Sequence, residues 1–184
     1  MSNMSRNKEL IIVIDMLNGF AKTGPLASDN INAIIPNIQK ILENKKADNL
    51  FICDSHSTSD LEMKCYPEHC LTNTYEAKVV SELEKYVQNV ILKNTTNGFF
   101  NLDKDKLLEY DVITLVGCCT DICVLQLGLS LITYLYMLKS KTKVVVYSDA
   151  VATYDSENHS ATEFHEYALK LMHNAGIEVT EWKQ

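Results

Sequence analysis

Three residue types spread along the chain can do covalent chemistry together: a carboxylate at Asp15, an amine at Lys93 and a thiol at Cys123. Each closes or follows an apolar run. Leu10–Asp15 reads L-I-I-V-I-D, Asn89–Lys93 reads N-V-I-L-K, and Asp111–Val124 reads D-V-I-T-L-V-G-C-C-T-D-I-C-V. A thiol nucleophile needs a base to take its proton and an acid to protonate the departing amine. A carboxylate of raised pKa does both, and a lysine beside it orients it and balances negative charge. Thr120 reads as a helix N-cap with Asp121 in the first turn, so Cys123 falls early in a helix. Unpaired N–H groups and the helix dipole favour thiolate there. The same three residues also read as a turn aspartate, a solvated cation and a small buried hydrophobe, and spacing alone leaves both readings open.

A second constellation is Asp54-x-His56, followed by Glu62 and His69. Imidazole and carboxylate donors in this mixture suit zinc, iron or manganese. A D-x-H pair in extended backbone presents both side chains on one side. The histidines belong to a polar stretch, Ser55–Thr74, that reads as a loop, and loops of this length inside a domain are usually functional. Incidental histidines on a polar loop are the alternative. Cys65 and Cys70 flank the region as a rival thiolate pair, but no second pair accompanies them. Phe20, Tyr66, Phe99 and Phe100 lie near these polar groups in sequence and read either as core or as walls for a flat heteroaromatic ring.

The elements that must position these groups follow from hydrophobic periodicity. Strands are expected at Leu10–Asp15, Asn49–Asp54, Asn89–Leu92, Val112–Val116 (ended by Gly117), Lys143–Tyr147 and Ile177–Thr180. Helices are expected at Ser28–Leu42 (interrupted near Pro36), Ala77–Tyr86, Asp103–Tyr110, Cys123–Leu138 and Ser156–Ala175. The last turns Ala161, Phe164, Ala168, Leu171 and Met172 inward and has Gly176 at its C-terminal end. Alternating strands and helices predict an α/β fold, a three-layer α/β/α sandwich around a mainly parallel six-stranded sheet, as one domain over residues 1–184. Asp15, Asp54, Lys93 and the turn Gly117–Cys123 then share the C-terminal edge of the sheet, where ligands of such folds bind.

Composition narrows the partners. The chain has 184 residues, 46% hydrophobic and 22% charged, which are globular values. A net charge of −7 without a Lys/Arg cluster argues against nucleic acid. Residues Met1–Lys8 are polar and lack the apolar core of an export signal. The most apolar helix, Cys123–Leu138, is broken by Gln126, Gly128, Ser130 and Thr133 and is shorter than a membrane span. Six cysteines in apolar surroundings without an export signal read as reduced thiols in a cytoplasm. A small-molecule partner is expected, and a homo-oligomer is left open.

With those residues assembled, the chain resembles the isochorismatase-like cysteine hydrolases, and among them the bacterial nicotinamidases. The resemblance runs from I-V-I-D-M-L-N-G-F to G-I-E-V. V-G-C-C-T-D-I-C-V is similar to the family's G-x-x-T-D-x-C-V nucleophile turn. D-S-H…E-M-K-C-Y-P-E-H-C is similar to the nicotinamidase metal segment, which isochorismatases and carbamoyl-amide hydrolases generally lack. The resemblance implies Cys123 as nucleophile, Asp15 as general base and acid, and Lys93 as its partner. It also implies a cis peptide at Cys118–Cys119, with the backbone N–H groups of Cys119 and Cys123 forming an oxyanion hole. One divalent metal is implied, zinc first with iron or manganese as alternatives, on Asp54, His56 and His69, with Glu62 where many relatives carry a third histidine. The substrate ring is expected against Phe20 and Tyr66, with Phe100 as a further wall. Nicotinamide hydrolysis to nicotinate and ammonia in NAD salvage is the implied reaction. Leu17 stands where many relatives have glutamine, and Tyr66 where tryptophan is common. The alternatives are an amide hydrolase for another small carboxamide and a non-catalytic metal-binding scaffold of the same fold.

Overall fold

Six apolar runs become the six strands of one sheet, and the β-branched residues of the four inner strands are nearly all buried, on both faces, as a parallel sheet requires. The computed structural model describes residues 8–183; most of the polar N-terminal stretch, Met1–Asn7, and Gln184 lie outside the described residues. The strands are β1 (Glu9–Ile14), β2 (Asp48–Asp54), β3 (Val90–Lys93), β4 (Val112–Cys118), β5 (Lys143–Ala152) and β6 (Glu178–Thr180). They run in the order β3-β2-β1-β4-β5-β6, every neighbouring pair parallel. Side chains alternate along β1: Ile11 and Val13 enter one core, while Leu10, Ile12 and Ile14 enter the other.

Helices cover both faces. On the first lie α1 (Asn18–Ala21), α2 (Asp29–Ala33), α3 (Ile35–Asn44) and α4 (Ser81–Glu84), which bury Phe20, Ile31, Ile38, Ile41 and Leu83. On the second lie α5 (Lys104–Leu107), α6 (Leu125–Met137) and α7 (Ala161–Asn174), contributing Leu107, Leu127, Leu131, Leu135, Ala168 and Met172. By length and composition alone, the helical stretch Thr120–Met137 could cross a membrane. Here its leucines pack beneath the sheet.

Several elements differ from the sequence expectation. The helix expected over Ser28–Leu42 breaks at Ile34 into α2 and α3, and Pro36 sits in the first turn of α3, where its missing N–H costs nothing. The helix expected over Ala77–Tyr86 shrinks to α4. The α7 helix begins only at Ala161, because Ser160 caps it by accepting from Glu163 N at 3.4 Å. Phe164 and Leu171, expected inward, are 40% and 52% exposed; they lie on the flank of the face led by Ala168 and Met172. Gly176 follows α7 at φ +97°, the left-handed conformation that ends helices.

The strand β4 continues through Gly117 to Cys118, and β5 extends past its expected end to Ala152. Gly117 has φ +117°, and a Cβ there would lie 2.0 Å from the Ile14 carbonyl oxygen. Only glycine lets β4 approach β1 this closely, at the point where the chain leaves β1 into Asp15.

Candidate active site

Strand order reverses between β1 and β4, whose connections leave in opposite directions. That switch point opens a crevice at the C-terminal sheet edge. Asp15 leaves β1 with φ +52°, a left-handed conformation that costs a non-glycine residue about 1 kcal/mol or more and that Asp and Asn tolerate best. It is fixed there by hydrogen bonds from Asp15 N to the Ile52 carbonyl at 2.9 Å and from Asp54 N to Asp15 Oδ1 at 3.0 Å. Lys93 is the register partner of Asp54. Its Nζ stands 2.8 Å from Asp15 Oδ2, pairs still more closely with Asp54, and donates to Cys123 Sγ at 3.8 Å. Gly98 makes room for that side chain, since a Cβ there would lie 2.9 Å from Ile52 Cγ2 and 3.3 Å from Lys93 Cδ. All four side chains are buried.

One cation thus serves two buried carboxylates and a thiol, and their ionisation is set accordingly. Burial and the neighbouring Asp54 charge push the Asp15 carboxyl up to about 6, against the opposing pull of Lys93. Burial would raise Asp54 as well, but Lys93 and then His56 and His69 outweigh it and hold that carboxylate well below its usual range. Burial opposes the charge on Lys93, yet Asp15, Cys123 and Asp54 keep it protonated well above its ordinary value.

The Cys123 thiol answers to more than its place at the start of a helix. Burial pushes its pKa well above the ordinary value, and Lys93 offsets this only in part while Asp15 and Asp54 reinforce it. Burial thus works against the thiolate that a helix N-terminus favours. The segment is a five-residue π-helical turn, Thr120–Val124, ahead of α6. Thr120 does not cap it: its hydroxyl bonds His165 Nδ1 at 3.0 Å, and Cys119 takes the N-cap position. The Cys119 carbonyl accepts from Ile122 N and Val124 N, each at 3.1 Å. The peptide Cys118–Cys119 is cis.

Beside this group, Asp54, His56 and His69 bring one ligand atom each within 4.8 Å of one another. His56 Nε2 is 3.5 Å from Asp54 Oδ1, and His69 Nε2 is 3.6 Å from Asp54 Oδ2. The other ring nitrogens donate outward, His56 Nδ1 to Asp60 Oδ2 at 3.2 Å and His69 Nδ1 to the Pro67 carbonyl at 2.8 Å. Such bonds fix the tautomer that leaves Nε2 free to ligate, the pattern of metal-binding histidines. The residues fit a divalent transition metal. Glu62 is outside this trio: its Oε1 accepts from Thr96 N at 2.9 Å and from Thr96 Oγ1 at 3.2 Å. Cys65 is exposed while Cys70 is buried, and among the described residues the Asp54–His56–His69 trio is the one cluster with metal-ligand spacing.

A cleft of about 420 Å³, counting its open mouth, joins the two groups. It is lined by Asp54 and His69 from the trio, by Cys119 and Cys123 from the nucleophile turn, and by Phe20, Tyr66 and Glu62. The Phe20 ring meets His69 edge-on with centroids 5.4 Å apart, and Tyr66 does so at 6.3 Å. Phe100 is not in the cleft; it is 71% exposed, because its short 3₁₀ turn, Gly98–Asn101, sends Phe99 rather than Phe100 into the core. Tyr154 was not foreseen as a lining residue. Ending β5 at Tyr147 hid it; the V-A-T-Y that closes and follows the extra residues of β5 is the signal that would have found it. Asp60, which orients His56 from the same loop, was equally unsuspected.

Comparisons with known proteins agree with this fold. The Isochorismatase domain model matches residues 9–184. Nicotinamidase 1 of Arabidopsis thaliana is 28% identical, with 91% of this chain and 80% of that protein covered. A Bacillus subtilis nicotinamidase structure is 27% identical, with a TM-score of 0.75 over 95% of this chain and 99% of that chain. A Pyrococcus horikoshii pyrazinamidase solved in complex with zinc is 25% identical, with a TM-score of 0.76 and the same coverage, 95% and 99%. The parallel sheet, the crevice at its switch point and a family match over nearly the whole chain lead to one conclusion: this chain belongs to the isochorismatase family of hydrolases.

Proposed function

We propose that the chain is a nicotinamidase, acting as a single domain over residues 1–184 to hydrolyse nicotinamide to nicotinate and ammonia in cytoplasmic NAD salvage. One observation carries this reading: a single cleft is lined both by the Cys123 thiol and by Asp54 and His69 of the metal-ligand trio. A cysteine hydrolase for simple amides needs the first group alone. A substrate whose ring carries a basic nitrogen uses both. The named relatives that are nicotinamidases support the same choice.

Cys123 Sγ bonds to the carboxamide carbon as its proton passes to Asp15, whose pKa of about 6 suits a base working near neutrality. The carbonyl π electrons move onto oxygen, where the N–H groups of Cys119 and Cys123 hold the oxyanion. The C–N bond then breaks, Asp15 returns the proton to nitrogen, and ammonia leaves a thioester on Cys123. Water loses a proton to Asp15 and adds to the thioester carbon. The C–S bond breaks, the acid departs, and Asp15 reprotonates the sulfur. Lys93 keeps the carboxylate oriented and neutralises it in each half-reaction. Asp54, His56 and His69 would hold the metal, zinc first and iron or manganese within the same donor chemistry. When bound, the ion supplies a Lewis-acid contact for the pyridine nitrogen. Phe20 and Tyr66 confine the ring.

Ammonia release tests the reading. Nicotinamide is expected to exceed benzamide, which lacks the ring nitrogen, by at least about 10² in kcat/KM. Equal rates for the two would contradict it.

A further inference from the structure

Outside the catalytic group, one constellation ties the wall of the cleft to the nucleophile turn. His159 is buried between two aromatic rings: Tyr154 stacks on it at 4.1 Å with 6° between planes, and Phe164 at 3.9 Å with 26°. Its nitrogens are both engaged. Nδ1 lies 2.8 Å from the Tyr154 carbonyl oxygen, and Nε2 lies 2.7 Å from Asp121 Oδ2. Asp121 lies in the same π-helical turn as Cys123. Tyr154 lines the cleft beside Cys119 and Cys123.

We infer that Tyr154 is a specificity-determining wall of the substrate cleft and that His159 is the positioning residue that holds it there. With one face of the Tyr154 ring covered by His159, only the other face or the edge is left for a ligand. A tyrosine on the strand-exit segment after β5 would otherwise sample several rotamers, each with a different cleft width. His159 removes that freedom twice over, by stacking on the ring and by bonding the backbone that carries it. The bond to Asp121 places the wall in register with the nucleophile turn rather than with the surface. Phe164 closes the outer face of the stack, which explains why this α7 residue faces His159 rather than the sheet. The wall therefore excludes amides whose ring is broadened on the Tyr154 side, such as fused bicyclic carboxamides, and admits a single six-membered ring. This inference deepens the nicotinamidase reading.

Its test does not depend on that reading. Alkylation of Cys123 is followed by mass spectrometry with two probes, iodoacetamide and the broader N-naphthyl iodoacetamide. Wild-type protein should take the small probe and react poorly with the broad one. Tyr154→Ala and His159→Ala should each raise the ratio of broad to small rates by about tenfold, with the iodoacetamide rate held within about twofold. The double variant should add little to either single one, because both act through one wall. Phe164→Ala, which removes only the outer ring, should give a smaller rise in the same direction and serves if His159→Ala folds poorly. An unchanged ratio in Tyr154→Ala overturns the wall. A rise in both probe rates together in His159→Ala overturns the positioning role, since it reports a loosened nucleophile turn. Failure of wild-type protein to hydrolyse nicotinamide would reject the proposed substrate while leaving the probe ratio to decide the wall.

Discussion

Replacing Cys123 by alanine should reduce nicotinamide hydrolysis by roughly 10⁵-fold or more, the scale on which removal of a covalent nucleophile acts. No other cysteine is placed to substitute. Cys65 is exposed, Cys53 and Cys70 are buried, with burial pushing the Cys53 thiol up to about 12 and the Cys70 thiol far above its ordinary value, and Cys118 Sγ donates to the Asp15 carbonyl at 3.2 Å. Cys119 does line the cleft, but the Lys93 ammonium donates to Cys123 Sγ. Nicotinamide binding, measured calorimetrically, should survive the substitution, because the ring contacts lie elsewhere in the cleft. Turnover within tenfold of wild type would remove Cys123 from the mechanism.

Asp15→Asn should lower kcat by about 10²–10⁴-fold, toward the upper end because one group serves both half-reactions. Asparagine is the informative replacement. It tolerates the left-handed backbone at φ +52° and keeps an oxygen for the Asp54 N–H, so the fold is expected to persist. The buried environment that lifts the Asp15 pKa is lost as a proton relay but retained as a shape. A loss below about tenfold, in protein with an unchanged thermal transition, would assign the proton transfers to another group.

The sheet was legible because its evidence is local. Apolar runs such as L-I-I-V-I-D can be buried on both faces only as parallel strands, and alternation with helices fixes the layers. The meeting of Asp15, Lys93 and Cys123 was legible for a related reason, since Asp15 follows β1, Lys93 ends β3 and Cys123 lies in the turn after β4, all at one edge of that sheet. What escaped the sequence depends on contacts between distant segments. The ionisation of Cys123 depends on burial, on Lys93 and on two carboxylates from other segments, none of which a rule about helix termini includes. The partner of Glu62 is Thr96, 34 residues away, and nothing in E-M-K-C-Y announces that bond. Phe99 and Phe100 are adjacent and chemically alike; only the 3₁₀ turn decides which enters the core. Tyr154 required knowing that β5 continues to Ala152, where Val151 and Ala152 pair with Gly117 and Cys118 after a break in register.

The most direct test of a metal-anchored nicotinamidase is the ratio of kcat/KM for nicotinamide and benzamide, measured before and after the metal is stripped and its loss verified. In the proposed mechanism Asp54, His56 and His69 serve the ring nitrogen that only nicotinamide possesses, whereas Cys123, Asp15 and Lys93 act on the carboxamide common to both. The account predicts a high ratio in the loaded enzyme that collapses toward unity on chelation, chiefly through a higher KM for nicotinamide, with Cys123 still open to alkylation. A ratio unchanged by complete metal removal would contradict it and leave a general amide hydrolase in its place.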